Sequence, residues 1–324
     1  FGLKFAYKKN IPFFILGGGS NILVSDDGFN GLIIKCSLSN IKCDNEKIYT
    51  ESGVFLASIV SQSVKNSLTG MEWASGIPGS VGGAIFGNAG AFDGEIGDIV
   101  EKIRVIDTDN LSEKEFQNQE CYFGYRNSIF KEKKLKNQKE YIIIEAELKF
   151  SKGNIKNIKE KIKYNLNWKK KHQPLDFFSA GCVFKNLETK NYSAEFWDRF
   201  PELKKFQKTN MIPAAYLIEK CNLKGKKIGG AMVSDLHSNF ILNVKNAKAK
   251  DIDRLIKYIK IEVREKYGIL LEEEIQRIGI FWIIVNSLIF KGQKVIFYFN
   301  KMATKKKAAR KPAKKTTRKT TKRT

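Results

Sequence analysis

"IPFFILGGGSNILVSDDGFNGLIIK", residues 11–35, sets apolar, strand-forming runs on either side of a glycine-rich turn and an Asp-Asp-Gly turn. The rest of the chain mixes helical and strand patterns in the same way. "VFLASIVSQSVKNSL" (54–68) carries Phe55, Ile59, Val60 and Val64 at helical spacing and predicts an amphipathic helix. "KIRVIDT" (102–108) and "EYIIIEAELKF" (140–150) predict strands, the second made central and buried by its isoleucine run. "NIKNIKEKIKYNLNWKKK" (154–171) predicts a polar helix bridging two units, followed by a helical stretch around 194–221 and a strand near "FILNV" (240–244). "DIDRLIKYIKIEVREKYG" (251–268) gathers Ile252, Leu255, Ile256, Ile259 and Val263 on one helical face, with Gly268 at the C′ position. Short elements of both kinds in this order fit an α+β chain of two mixed domains better than one doubly wound sheet.

The chain has 324 residues and a net charge of +24. Its last 24 residues, "KMATKKKAARKPAKKTTRKTTKRT", hold 12 Lys and Arg and no acid, which leaves +12 for the first 300. That moderate excess suits an enzyme acting on anionic substrates. Cys36, Cys43, Cys121, Cys182 and Cys221 form an odd set without a C-x-x-C pair, and only His172 and His237 accompany them. A disulfide framework and a zinc or other metal centre are therefore not expected. Free thiols and the lack of a signal peptide point to the cytoplasm. The apolar run "IGIFWIIVNSLIF" (278–290) is shorter than the roughly 20 residues that span a bilayer, so no membrane segment is expected.

Two glycine clusters remain, "LGGGSN" (16–21) and "GIPGSVGGAIFGNAGA" (76–91). Glycine lets successive N–H groups converge into a nest for anionic oxygens, and a dinucleotide pyrophosphate is the natural guest. Neither cluster ends in Gly-Lys-Ser/Thr or matches G-x-G-x-x-G in a strand–turn–helix frame, so tight loops without a ligand are the alternative reading. The second cluster is too glycine-dense for a regular helix. In "SAGCVFKN" (179–186), Cys182 reads as a small buried hydrophobe or as a proton carrier.

Six segments in order, "LGGGSNILVSDDGF", "GIPGSVGGAIFGNAGA", "FGYRNSIFK", "QPLDFFSAGCVFKN", "KGKKIGGAMVSDLHSNFILN" and "LEEEIQRIG", resemble the UDP-N-acetylenolpyruvoylglucosamine reductase family, in its shorter type. The resemblance runs from about residue 5 to residue 279. It implies a two-part FAD-binding domain over 1–150, its first part incomplete because the family has a further segment before "LGGGSN". A substrate-binding domain over 151–279 follows. It further implies a monomeric flavoenzyme in which NADPH reduces FAD, and reduced FAD then reduces UDP-N-acetylglucosamine enolpyruvate.

Residue by residue, the resemblance implies that Gly17, Gly18, Gly19, Ser20, Asn21, Gly79, Ser80, Gly82, Gly83, Asn88, Ala89 and Gly90 hold the flavin. Arg126, Glu274 and Cys182 fall on catalytic positions, Cys182 where the family usually has the proton-donating serine. Tyr125, Lys185 and Asn186 are expected to touch the substrate. A cationic site of this kind is expected to lower the Cys182 pKa and bring an early alkaline loss of activity. The segment "YSAEFWDRFPELKKF" (192–206) is longer than the motif needs and has no role in this reading.

The resemblance stops near Gly279. Residues 280–301 form an apolar spacer, and 302–324 resemble the start of a bacterial histone-H1-like protein and are expected to be disordered. Two readings follow from this tail. One is a degraded or misassigned gene end on an inactive reductase; the other is a nucleic-acid-binding function carried by the lysine-rich segment.

Overall fold

The computed structural model describes residues 2–135 and 140–280, with the backbone alone for 133–135. The spacer from residue 281 and the basic tail lie outside the described residues. The expected strand–turn–strand passage is present. Helix α1 (Gly2–Lys9) packs over strand Leu32–Lys35, which pairs in parallel with Phe13–Leu16. The glycine turn then leads into strand Ile22–Val24, whose parallel partner is Gln276–Ile278 from the far end of the fold.

An antiparallel sheet of five strands follows, in the order Glu113–Gln117, Val100–Asp107, Tyr141–Lys149, Lys47–Glu51 and Ile41–Asp44. Tyr141–Lys149 is central, as its isoleucine run implies. Ile48, Ile103, Val105 and Leu148 are fully buried against Leu56 and Ile59 of α2 (Leu56–Lys65) and against Val81 and Ile85 of α3 (Val81–Gly87). Phe55, placed on the apolar helical face by spacing alone, instead caps α2 and is 58% exposed.

Helix α3 overturns the expectation that residues 76–91 form no regular helix. Its intrinsic propensity is poor, since each glycine costs about 1 kcal/mol relative to alanine. Tertiary contacts offset this. Ser80 Oγ accepts from the Gly83 amide at 3.4 Å, Val81 and Gly82 donate to Val54 and Ser52 carbonyls at 2.8 Å, and Asn88 ends the helix in the left-handed region. A Cβ on Gly82 would stand 2.8 Å from the Ser52 Cβ, so this helix needs glycine in order to sit against the sheet.

Helix α4 (Ile129–Leu135) is anchored by Phe130, fully buried among Phe116 and Tyr141. The polar helix α5 (Ile155–His172) lies against the 3₁₀ turn Glu72–Ala74 and α2. Its buried Asn165 and Lys169 donate to the carbonyls of Glu72 and Ser75 at 2.8 and 2.6 Å.

A second core spans residues 183–275 and includes Leu23. The long segment without an expected role supplies part of it: Trp197 of α6 (Ala194–Arg199), Phe200 and Leu203 are buried there. α7 (Ala214–Lys220) adds Leu217 and Ile218, and α8 (Ala249–Tyr267) adds Leu255, Ile256, Ile259 and Val263. Gly268 sits at φ 71°, the left-handed C-cap expected of it. None of the described helices is long and apolar enough to cross a membrane.

The N-cap of α8 is Lys248, which has no side-chain acceptor for the first free amides. Asp26, from the Asp-Asp-Gly turn, supplies one: its carboxylate accepts from Ala249 N at 2.8 Å and Lys250 N at 3.1 Å. Asp26→Ala is expected to cost about 1–2 kcal/mol of stability, read from the urea midpoint at unchanged slope. An unchanged midpoint would show that water caps the helix equally well.

Candidate active site

The two glycine clusters meet backbone to backbone. A Cβ on Gly18 would lie 2.7 Å from the Gly79 Cα, and one on Gly17 would lie 2.5 Å from Ser80 Oγ. Gly19 (φ 71°) and Gly79 (φ 130°) adopt backbone that side-chain-bearing residues rarely reach. Ser20 Oγ donates to the Pro78 carbonyl at 3.0 Å, tying one loop to the other. Together they wall a cavity of about 310 Å³, which also takes in Ser52, Ala89, Arg126, Cys182 and Glu274.

Arg126, Cys182 and Glu274 thus come from three distant segments to one cavity. Arg126 is the third residue of a turn closed by reciprocal amide–carbonyl bonds between Gly124 and Asn127 (3.1 and 2.9 Å), and it sits at φ 54°. Its Nε pairs with Glu274 Oε1 at 2.9 Å, both side chains about one-fifth exposed. Its Nη2 donates to the Gly90 carbonyl at 2.7 Å and its Nη1 to the Asn88 carbonyl at 3.5 Å.

Glu274 is held through its main chain. Its amide donates to the Val183 carbonyl at 2.8 Å and its carbonyl accepts from Asn21 Nδ2 at 3.2 Å. The neighbouring acids face other partners: Glu272 pairs with Lys185, and Glu273 with Lys260 and Arg277. The Cys182 backbone bridges Phe240, while Asn239, almost fully buried, exchanges side-chain bonds with both amide and carbonyl of Phe184.

Several expected site residues are not in the cavity lining. Asn88 is fully buried and its amide is occupied, donating to the Gly124 carbonyl at 2.9 Å and accepting from Gly97 N at 3.0 Å. Asn88 and Gly90 meet the site through their carbonyls on Arg126. Tyr125 Oη accepts from the Asn186 amide at 3.0 Å, and Asn186 Oδ1 accepts from Ala214 N at 3.1 Å at the start of α7. Conversely, Cys36, Ser52, Lys131 and Gln276 line the cavity without having been singled out. Lys131 closes the motif "FGYRNSIFK", so its position was readable there; for Ser52 no local signal exists.

The electrostatics correct one expectation. The Cys182 thiol is not lowered by its cationic neighbour but pushed up to about 12, by burial first and by the Glu274 carboxylate second, with Arg126 opposing. Burial also raises Glu274 above the usual carboxylate range, against the pull of Arg126 and Lys131.

Comparison with known proteins places the chain in a family. Residues 2–110 match a family model described as an FAD binding domain, and residues 173–278 match one described as the UDP-N-acetylenolpyruvoylglucosamine reductase C-terminal domain. The chain is 41% identical to the UDP-N-acetylenolpyruvoylglucosamine reductase of Clostridium tetani, over 86% of this chain and 81% of that one. It is 40% identical to the enzyme of that name from Caldanaerobacter subterraneus, over 86% and 82%. The chain belongs to the UDP-N-acetylenolpyruvoylglucosamine reductase family. The crystal structure of the Thermus caldophilus reductase superposes with a TM-score of 0.65 at 28% identity, covering 85% of this chain and 89% of that one.

For a member of this reductase family, the glycine loops fit a flavin dinucleotide on their own geometry. A methyl group at Gly17, Gly18 or Gly82 would stand under 3.0 Å from a neighbouring atom, and Gly79 holds a φ of 130°, which keeps both backbones packed into one wall of the cavity. Gly18→Ala should therefore force the loops apart and weaken FAD binding by about tenfold or more, followed by quenching of flavin fluorescence on titrating apoprotein. Unchanged affinity would mean that the two loops have slack.

Proposed function

We propose that this chain is an FAD-containing, NADPH-dependent reductase that converts UDP-N-acetylglucosamine enolpyruvate to UDP-N-acetylmuramate in peptidoglycan precursor synthesis. The observation that carries this reading is the convergence of Arg126, Cys182 and Glu274 on the cavity walled by both glycine clusters. When bound, FAD supplies hydride transfer from NADPH to the enolpyruvyl double bond. The chain supplies everything around that event. Gly17–Asn21, Gly79, Ser80, Gly82 and Gly83 hold the cofactor's diphosphate region.

Arg126 recognises the substrate carboxylate. Of the five N–H donors of a guanidinium, three are engaged by Glu274, Asn88 and Gly90, which leaves two for a planar anion. As negative charge spreads from the carbon skeleton onto the carboxylate, the cation stabilises it where water is excluded. Cys182 delivers the proton to the carbon beside the carboxylate. Its thiol, raised to about 12, keeps that proton at neutral pH. Lys185, paired with Glu272, and Tyr125, bonded to the Asn186 amide, lie outside the cavity lining and take a substrate role from the family resemblance alone. On this reading the enzyme is a monomer of the cytoplasm, a compartment that its five free thiols suit.

The direct test is spectroscopic: purified protein with bound, yellow FAD should bleach with NADPH and recover its colour with the enolpyruvyl sugar. Colourless protein that does not take up FAD would overturn the reading. Cys182→Ala should bleach at the parental rate but recover at least about 100-fold more slowly, the usual scale for a lost general acid. Cys182→Ser should retain turnover. Because the thiol loses its proton only near pH 12, parent and serine variant should share one alkaline profile up to about pH 10. A limb near 8.5, the ordinary thiol value, in the parent alone would show Cys182 ionising in its unperturbed range.

A further inference from the structure

Lys131 is a buried cation whose role the reaction described above does not use. It lies on α4, is 7% exposed, and lines the cavity that also holds Arg126 and Glu274. Its Nζ donates to the main-chain carbonyl of Arg126 at 2.9 Å, the hydrogen bond this ammonium makes among the described residues. The helix that carries it is rigidly seated. Ser128, fully buried at its start, donates to the Phe86 carbonyl at 2.7 Å and accepts from the Lys131 amide at 3.4 Å, and Phe130 fills the core beneath.

The partner of this lysine is unusual. Arg126 is a non-glycine residue held at φ 54°, in a turn position where glycine is the ordinary occupant. Such a residue relaxes toward negative φ unless surrounding bonds over-determine it. Relaxation would swing the guanidinium off Glu274 and the Asn88 and Gly90 carbonyls, because side-chain direction follows backbone conformation. The guanidinium is therefore fixed at its tip by those contacts and at its root by the lysine.

We propose that Lys131 is a positioning residue for the reductive step, pinning the Arg126 backbone so that its guanidinium meets the substrate carboxylate in register. The proposal rests on Arg126 being the carboxylate clamp. A displacement of about 1 Å at a reacting group lowers rates by about 100-fold, so losing the pin should slow substrate reduction while leaving flavin reduction by NADPH alone. Burial and the nearby Lys185 lower the pKa of the lysine, and Glu274 partly restores it. Either protonation state can donate to a carbonyl.

The test is a double-mutant cycle of Lys131→Met and Arg126→Lys, read in both half-reactions by stopped-flow absorbance on FAD-loaded protein. Arg126→Lys by itself tests the clamp: equal rates in both half-reactions to the parent would remove the premise without touching the lysine. Given a slowed clamp variant, Lys131→Met alone should slow reoxidation by the enolpyruvyl sugar about 10–100-fold, with NADPH reduction within about twofold of the parent. In the Arg126→Lys background the same change should cost less than about threefold, because a residue acting through Arg126 has nothing left to position. Lys131→Gln, which keeps a donor, should recover part of the loss. A full, additive loss in the Arg126→Lys background overturns the proposal. So does equal slowing of both half-reactions. Failure of both Lys131 variants to fold or to retain FAD overturns it too, since the lysine would then serve the fold rather than the arginine.

Discussion

The active site depends on a pairing between strands some 250 residues apart: Ile22–Val24 alongside Gln276–Ile278. The first strand begins directly after the glycine turn, and the second begins two residues after Glu274. One register therefore decides whether the acid reaches the cavity, because a slip of one residue turns every side chain to the opposite face. Asn21 secures the register at the critical end. Its carbonyl accepts from the Gln276 amide at 2.9 Å and its side chain donates to the Glu274 carbonyl. Asp26, a few residues on, caps α8, so the same N-terminal passage organises the glycine turn, Glu274 and the main helix of the second core. Closing so long a loop is entropically expensive. It is offset by placing Leu23 in the second core.

The glycine loops answer a different constraint. Two backbones approach until no side chain fits between them, and this sets Gly18 against Gly79 and Gly17 against Ser80 without an apolar side chain in the contact. Adhesion comes instead from the flanks: Ser20 on the Pro78 carbonyl, and the first amides of α3 on the Ser52 and Val54 carbonyls just past the strand Lys47–Glu51. Substitution at Asn21 and at Gly18 should therefore differ in kind. Loss of the asparagine loosens the acid, whereas an added methyl separates the loops.

How much of this was legible in the sequence follows from how local each signal is. The turns, the central isoleucine strand and the apolar face of α8 are set by neighbours in the chain, and the fold contains them. Family motifs located Arg126, Cys182 and Glu274 as well as the glycines of the cavity wall. Helix α3 was not legible, because its glycines disfavour a helix that only Ser52, Val54 and the capping Ser80 make possible. Nor could the motif distinguish residues that line the cavity from residues that support those that do. Asn88 and Asn186 carry side chains suited to ligands, yet both spend them on main-chain groups. The buried aromatic residues at 197 and 200 read as a surplus insertion because their partners in the second core lie far along the chain.

The sign of the Cys182 shift was illegible for a related reason. Composition reveals that the site is cationic but not how deep the thiol sits, nor that the Glu274 carboxylate lies beside it and opposes Arg126. Desolvation acts on the thiolate and has no counterpart in a charge count. Its consequence bears on the donor role proposed for Cys182, at a position where the resemblance implies a serine. A thiol in water is partly ionised near neutrality, and a thiolate has no proton to give. In this pocket the same group holds its proton through the neutral range, as a hydroxyl does. The buried Glu274 reinforces that behaviour: it disfavours a second negative charge beside it, and so, in the proposed reaction, favours return of a proton to the thiol. Cysteine is thus compatible with the donor role proposed for it, because the arrangement that buries it also removes the property that distinguishes it most from serine.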